Sequence, residues 1–478
     1  IKWNRQMPLI ELKPSKGFSI DMRPPHIDEK AYEYANRFFY KSFVDSTLNE
    51  FHRAKISRKA ILESLEGYNV SYANSRVREE TSYQLALQSV REQFIPTEKL
   101  VPLTLGGVEK HPDFHLNRSP GLPYINSSSY KTKGEVLADP VEVKKWHTKW
   151  QLIGAGVRVS REDCAYFFRA QICPKEENKI RAVWGYPIEM IVEEGRYFLP
   201  YMSWINSGEK DLPLGFQCEM ATGGMQYIDK ICMRHKDCSF VLTDWSKFDQ
   251  SIPPWLLRDA LQIIMDSFHL DWVQDSEGKY WKVRPDRTAR RFKAMTSYFI
   301  NTPIRLPNGM RFRKKGGVPS GSMFTNIIDS IVNAIVSRYL SYETTSYFPK
   351  AEVYQGDDGF LVLNRGSVSI PEIAKLAKEK FGMTLHSEGH RKASYVTNNP
   401  ENVHFMGFYN SNGFPLTSCK MALASFILPE RPINDTMIRI TRAVGQMWST
   451  FNPSSSIYFA KMIRQMIDDS RLTDAEVL

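Results

Sequence analysis

Cysteine is scarce and unpatterned. The six cysteines, Cys164, Cys173, Cys218, Cys232, Cys238 and Cys419, form no Cys-x-x-Cys pair, which leaves no zinc-ribbon or dithiol redox motif. Cys232, His235 and Cys238 lie close enough to suggest metal ligands. No fourth ligand has matching spacing, so buried thiols are the competing account. This usage predicts a reduced, intracellular chain. No apolar run reaches the roughly 18 residues a spanning helix needs, so no membrane segment is expected. Internal repeats and low-complexity tails are also missing, which argues against a solenoid or a disordered polar arm. Acid is in deficit: 53 Asp and Glu against 63 Lys and Arg give a formal net charge of +10. That balance favours a polyanionic partner, nucleic acid foremost, over a merely basic enzyme.

What is present is a large folded chain. At 478 residues and 42% hydrophobic, it has material for two to four subdomains. Aromatics make up 12%, and rings can stack on bases. Helical periodicity predicts helices over Ala31 to Phe51, Ser57 to Glu66, Glu79 to Phe94 and about Pro187 to Ser207. From Phe240 short strands alternate with helices, and a long amphipathic tract runs from Asn434 to Ile467, broken at Pro453.

Val353-Tyr354-Gln355-Gly356-Asp357-Asp358-Gly359-Phe360-Leu361-Val362-Leu363 places two apolar runs around a Gly-Asp-Asp-Gly turn. A hairpin with both carboxylates at its tip is costly unless a divalent cation sits there. The tripeptide alone means little, since composition yields it in roughly one chain in ten of this length. A second acid pair gives it weight. Phe240-Val241-Leu242-Thr243-Asp244 is a β-type run ending in an acid, followed by Asp249 and a helix starting at Pro253-Pro254. If this strand pairs beside the hairpin, Asp244 and Asp357 converge. Two divalent cations about 3.5–4 Å apart could then be bridged for in-line phosphoryl transfer. Asp249 would face a bound substrate; the alternative is that it caps the following helix.

Gly316 to Thr325 is a flexible turn feeding a helix, Asn326 to Leu340, on which Asn326, Asp329, Asn333 and Ser337 share one face. Ser320, Thr325 and Asp329 could bond sugar hydroxyls there, or the stripe could simply be solvated. Upstream, Lys179 and Arg181 stand two apart. In an extended segment they point to one side and suit a triphosphate; a charged, aggregation-resistant edge is the other account.

Taken in order, these pieces resemble the motifs of viral RNA-dependent RNA polymerases. Asp244 is similar to the metal aspartate of motif A, with Asp249 as the sugar-sensing acid. Ser320-Gly321 with Thr325 and Asp329 resembles motif B, and Gly356-Asp357-Asp358 resembles motif C. Lys175, Lys179 and Arg181 are similar to motif F, and Ser119-Pro120-Gly121-Leu122-Pro123 to the template-guiding motif G, marking Ser119, Gly121 and Pro123. Ala374 to Thr384 followed by Lys392 resembles motif D, and Phe405-Met406-Gly407-Phe408 the primer-side motif E. The resemblance spans roughly residues 115–412. Its wording is nearest to small double-stranded RNA viruses of the partitivirus type, with picobirnaviruses second. Asp329 departs from the picornavirus-like pattern, which has Asn there. Ionised, an acid can only accept a hydrogen bond, so its sugar contact is expected to differ or be relayed.

The resemblance implies an α+β right hand, closed into a ring, with a palm built on an antiparallel sheet. The expected layout is an N-terminal, fingers-bridging region 1–114, fingers 115–238, motif A palm 239–258, a fingers insertion 259–312, palm 313–412 and thumb 413–478. It also implies a nucleotidyl transfer with two Mg²⁺ ions (Mn²⁺ as a substitute) held by Asp244, Asp357 and Asp358. Lys392 would act as general acid, with His390 as its rival. Template and product RNA, nucleoside triphosphates and a viral capsid protein are the implied partners, with no membrane. The implied location is the virion interior in the host cytoplasm. A reverse transcriptase and a non-catalytic RNA-binding or capsid-associated protein are the rival readings.

Overall fold

The computed structural model describes residues 9–386 and 394–470. Lys392 and His390 lie outside the described residues. At the centre is a four-stranded antiparallel sheet with strands in the order Ala351–Gln355, Asp358–Asn364, Cys238–Thr243 and Tyr395–Thr397. Successive side chains of a strand point to opposite faces, and here both faces are covered. Val241, Leu361 and Leu363 enter one core with the helices Thr81–Phe94, Pro254–Asp266 and Thr325–Thr345. Phe240, Leu242, Phe360 and Val362 enter a second core with the helix Gly224–Arg234. Double coverage explains why these strands read as unbroken apolar runs.

A five-stranded sheet lies beside this layer, in the order Ile10–Leu12, Arg311–Arg313, Pro303–Arg305, Cys164–Ala170 and Ile180–Gly185. Pro303–Arg305 runs parallel to Cys164–Ala170, so the segment before the glycine turn returns to pair with a strand from far upstream. Asp163, 2% exposed, fixes that junction by ion pairs to Arg305 (2.9 Å) and Arg311 (2.6 Å).

The two ends of the chain meet in another core. Ala31, Ala35, Phe39 and Val44 pack with Leu423, Phe426, Ile440, Phe459 and Met462 of the C-terminal helices Cys419–Ile427, Thr436–Thr450 and Pro453–Ser470. A buried ion pair, Asp28 to Arg439 at 2.8 Å, spans the junction. The predicted helix from Ala31 to Phe51 is two helices, Glu29–Phe38 and Lys41–Glu50. The break has no Pro or Gly behind it. Phe39 turns edge-on to Phe459 at 5.1 Å, and this distant ring outweighs local helix propensity. The remaining predicted helices appear as Arg58–Glu66 behind a Ser57 cap, Thr81–Phe94, Ile188–Ser207 and Thr325–Thr345. The C-terminal tract divides before Pro453 as expected.

Cys232 and Cys238 are core residues, with the Cys232 thiol pushed up to about 12 by burial. The buried-thiol account holds for them.

Candidate active site

Strand pairing brings the acids together. Asp244 directly follows Cys238–Thr243, which pairs with Asp358–Asn364 in a register that ends at Thr243 opposite Gly359. Continuing that register sets Asp244 level with Asp358. Gln355 pairs with Asp358, so only Gly356 and Asp357 form the turn. Gly356 takes the positive φ (62°) required at the first position of such a two-residue hairpin turn. The turn is therefore shorter than the expected Gly-Asp-Asp-Gly loop: Asp357 is exposed at the tip, whereas Asp358 is the half-buried first residue of a strand.

Backbone groups next to the carboxylates are held by polar side chains that the sequence did not single out for this task. The Asp244 N–H donates to Ser394 Oγ at 2.8 Å, and the His386 N–H donates to the Asp244 carbonyl at 3.0 Å. The His386 ring stands 3.6 Å from the Asp244 carboxylate. Under the hairpin, the Gly356 N–H donates to Ser330 Oγ at 2.9 Å. The Asn333 amide reaches the carbonyls of Gly356, Asp357 and Asp358. The only available hints were period-four placement on the motif B helix and, for His386, a place just past the expected motif D segment.

Beside the carboxylates lies a hydroxyl and acid cluster. Ser320 Oγ donates to Asp249 Oδ2 at 2.6 Å. Asp249 lies within the short helix Phe248–Ser251, and the next helix starts at Pro254 with no side-chain cap. The capping account for Asp249 is thus excluded. Asp329 is 5% exposed, and Asn333 and Ser337 are 0% and 1% exposed; the solvated-stripe account fails for these three and holds only for Asn326, which is exposed. Burial, the charge of Asp249, a hydrogen bond to it and the charge of Asp357 together raise the Asp329 carboxyl well above the usual range. The shift favours the proton-bearing form of Asp329, in which it can share a hydrogen bond with Asp249, while its Oδ1 has no hydrogen-bond partner among the described residues. Thr325 Oγ1 donates to the Pro319 carbonyl at 2.9 Å and so ties the loop to the helix start.

The loop carrying Ser320 rests on buried supports. A Cβ on Gly321 would sit 2.0 Å from the Trp184 carbonyl, so only glycine fits there. Ser322 donates to the buried Glu194, whose carboxyl is pushed up to about 8 by burial against the pull of that hydroxyl and the Met323 N–H. Lys314, fully buried, donates to the carbonyls of Phe299, Ile300 and Gly317 at 2.6, 2.9 and 2.8 Å.

Comparison with known proteins agrees with this geometry. Residues 44–414 match the family described as viral RNA-dependent RNA polymerase. The chain belongs to that family. The RNA-directed RNA polymerase of White clover cryptic virus 1 is 25% identical over 333 residues, covering 63% of this chain and 53% of that protein. That of Atkinsonella hypoxylon virus is 25% identical over 331 residues, covering 61% and 48%. The chain thus spans about half the length of these relatives. Among solved structures, the Sicinivirus 3Dpol RNA-dependent RNA polymerase superposes with a TM-score of 0.70 at 14% identity, over 97% of this chain and 95% of the other. A human picobirnavirus RNA-dependent RNA polymerase gives 0.63 at 14% identity, over 92% and 80%. The fold is the right-hand polymerase fold of this family.

The other motif-like segments lie on elements of their own. Arg181 is in the strand Ile180–Gly185, opposite Arg169, whereas Lys179 immediately precedes the strand and Lys175 lies in the turn before it. All three are exposed. The expected shared face of one extended segment therefore reduces to Arg181 in the strand, with Lys179 at its mouth. The same strand delivers Trp184 to Gly321, so the basic loop and the motif B turn share one support. Gly121 is buried and Pro123 exposed, and the Pro120 carbonyl accepts from the Ile188 N–H at 2.9 Å. Phe405-Met406-Gly407-Phe408 is a hairpin whose two-residue turn, Met406-Gly407, has positive φ at both positions (52° and 83°).

Among the described residues, no group of three or more His, Cys, Asp or Glu side chains closes around a point. The carboxylates at this end of the sheet form a partial, all-oxygen donor set. Such a set suits Mg²⁺, which retains waters and takes substrate phosphates into its shell.

Proposed function

We propose that this chain catalyses template-directed synthesis of RNA for transcription and replication of a double-stranded RNA virus genome. The growing strand's 3′-hydroxyl would attack the α-phosphate of a nucleoside triphosphate. The observation that carries this reading is the meeting of Asp244 with the Gly356–Asp357 turn, next to the Ser320–Asp249–Asp329 cluster. Asp244 and Asp357 would hold two Mg²⁺ ions, for which Mn²⁺ could substitute, with Asp358 in support. Bound metal supplies an activated hydroxyl and neutralises the leaving pyrophosphate.

The chain's own residues orient the substrates. Asp249 is braced by Ser320 and Asp329 and keeps acceptor capacity for a ribose hydroxyl. Lys175, Lys179 and Arg181 would neutralise the triphosphate. Lys392 would return the proton to pyrophosphate, with His390 as the alternative donor.

A cavity of about 730 Å³ offers a path for the template. Ser119 lines it, as do Arg53, Arg431 and Arg442. Arg53 and Arg442 are half-buried and bonded to backbone carbonyls, Arg53 to Leu428 and Ala170 and Arg442 to Ser425 and Phe426. Cations anchored by carbonyls keep their charge for phosphates. The assignment of residues 1–114 and 115–238 to fingers, 239–258 to palm, 259–312 to a fingers insertion, 313–412 to palm and 413–478 to thumb belongs to the same proposal. So do a capsid-protein partner and a place inside the virion, in the host cytoplasm.

The test is incubation of the chain with a defined RNA template, Mg²⁺ and either ribo- or deoxyribonucleoside triphosphates. Complementary RNA should form, with ribonucleotides favoured by at least about tenfold, or 1.4 kcal/mol. Preference for deoxyribonucleotides would establish a reverse transcriptase. Salt-dependent RNA binding without Mg²⁺-dependent synthesis would establish a non-catalytic binder.

A further inference from the structure

The helix Thr325–Thr345 is lined with isoleucine and valine, yet a fully buried amide sits midway along it. Asn333 Nδ2 lies 3.0 Å from the Gly356 carbonyl, 3.2 Å from that of Asp357 and 3.4 Å from that of Asp358. Its Oδ1 accepts from the Trp245 indole N–H at 3.2 Å and from Ser337 Oγ at 3.1 Å. Trp245 directly follows Asp244. One amide thus joins the residue after the first metal carboxylate to the turn that carries the second. Three residues earlier on the helix, Ser330 takes the Gly356 N–H and donates to the Asn326 carbonyl at 2.8 Å, so the turn is held at both its N–H and its carbonyls.

Burial alone does not require this arrangement. An apolar residue at position 333 would pack more cheaply among Val241, Trp245 and the helix's isoleucines. What the amide adds is a fixed geometry. Its acceptor side is occupied by Trp245 and Ser337 and its donor side by the turn, so the two elements cannot slide past each other without stranding buried polar groups.

We infer that Asn333 is a positioning residue which sets Asp357 relative to Asp244 by tying the Gly356–Asp357 turn to Trp245. This inference rests on the polymerase reading above. It acts through the backbone: Asn333 touches neither substrate nor metal, and it controls how well the carboxylates are placed to share a divalent cation.

The test uses the whole chain with Asn333→Ala and, separately, Trp245→Phe, which removes the indole N–H together with part of a ring packed in the core beside Phe248, so its melting temperature is the control for lost packing. Mn²⁺ affinity is read by electron paramagnetic resonance without RNA or nucleotide. Hydrogen exchange at the Gly356 amide, template affinity, melting temperature and the Mg²⁺ concentration for half-maximal incorporation are measured alongside. Loss of an outer support typically weakens metal binding by about tenfold or more. Asn333→Ala should therefore bind Mn²⁺ about tenfold more weakly, need correspondingly more Mg²⁺, exchange Gly356 faster and keep its RNA affinity. Trp245→Phe should shift metal affinity in the same direction by a smaller factor. Unchanged Mn²⁺ affinity in the variants, with activity falling only in step with melting temperature, overturns the inference. If Asn333→Ala does not fold, Trp245→Phe decides alone. A wild-type chain that binds Mn²⁺ but polymerises nothing would instead defeat the polymerase reading, leaving the variants' metal affinities to judge the positioning role.

Discussion

Asp329 is a buried carboxyl placed against a second carboxyl, that of Asp249. Burial and two neighbouring acids raise the Asp329 carboxyl well above the usual range, which favours the proton-bearing form, able to donate to Asp249 as an amide N–H would. Asp329→Asn should accordingly leave ribonucleotide incorporation within about threefold of the parent, about 0.7 kcal/mol, and preserve ribose choice. A larger loss in steady-state incorporation would show that the ionised form is needed. Glu194 is a second buried acid with another consequence. Its carboxyl is pushed up from 4.5 to about 8, and its Oε1 has no hydrogen-bond partner among the described residues. The folded chain holds this proton more tightly than the unfolded chain. The stability it contributes is therefore complete below the unfolded value and is lost as pH rises toward about 8. Glu194→Gln removes that titration. Across thermal melts, the variant's melting temperature should gain on the parent's between about pH 5 and about pH 8. A constant difference would contradict the assignment.

At the scale of elements, the motif B loop is held by close backbone approach as well as by its hydrogen bonds. Gly321 has no room for a Cβ beside the Trp184 carbonyl. Gly321→Ala should displace Ser320 from Asp249 and lower incorporation by at least about tenfold, 1.4 kcal/mol, with the chain still folded. Far-ultraviolet circular dichroism and steady-state kinetics together check this.

Elements of this kind differ in how legible they were. The strand through Phe240 and the Val353–Leu363 hairpin could be read because apolar runs, a glycine and paired acids are local signals. Ser320 and Asp249 were each expected to face the sugar, but the hydrogen bond between them was not read, because it joins residues 71 apart in sequence. The role of Asn333 could not be read, because its partners are backbone carbonyls that reach it only after the hairpin docks. Ser394 and His386 were missed for the same reason: they meet Asp244 across a fold, 150 residues away in the case of Ser394. Phe39 broke a predicted helix for a ring in the last helix of the described chain, a contact with no local trace.

At the scale of the molecule, the meeting of N-terminal and C-terminal helices closes the hand. Asp28 is central to that contact: it caps Glu29–Phe38 through the Ala31 N–H at 3.2 Å and pairs with Arg439. Breaking one partner of a buried pair costs about 3–5 kcal/mol, because the other charge is left without compensation. Asp28→Ala should lower the first chemical-unfolding transition by that order while the central sheet unfolds later. A single unshifted transition would show that the ring contributes little.

The central claim is that Asp357, at the tip of a two-residue turn, carries metal-dependent nucleotide incorporation. The direct measurement compares wild type and Asp357→Ala in Mg²⁺-dependent incorporation on one RNA template, with template affinity measured in parallel. The account predicts loss of at least about three orders of magnitude in incorporation, or 4 kcal/mol, with RNA affinity unchanged. Incorporation at a comparable rate by Asp357→Ala would contradict it.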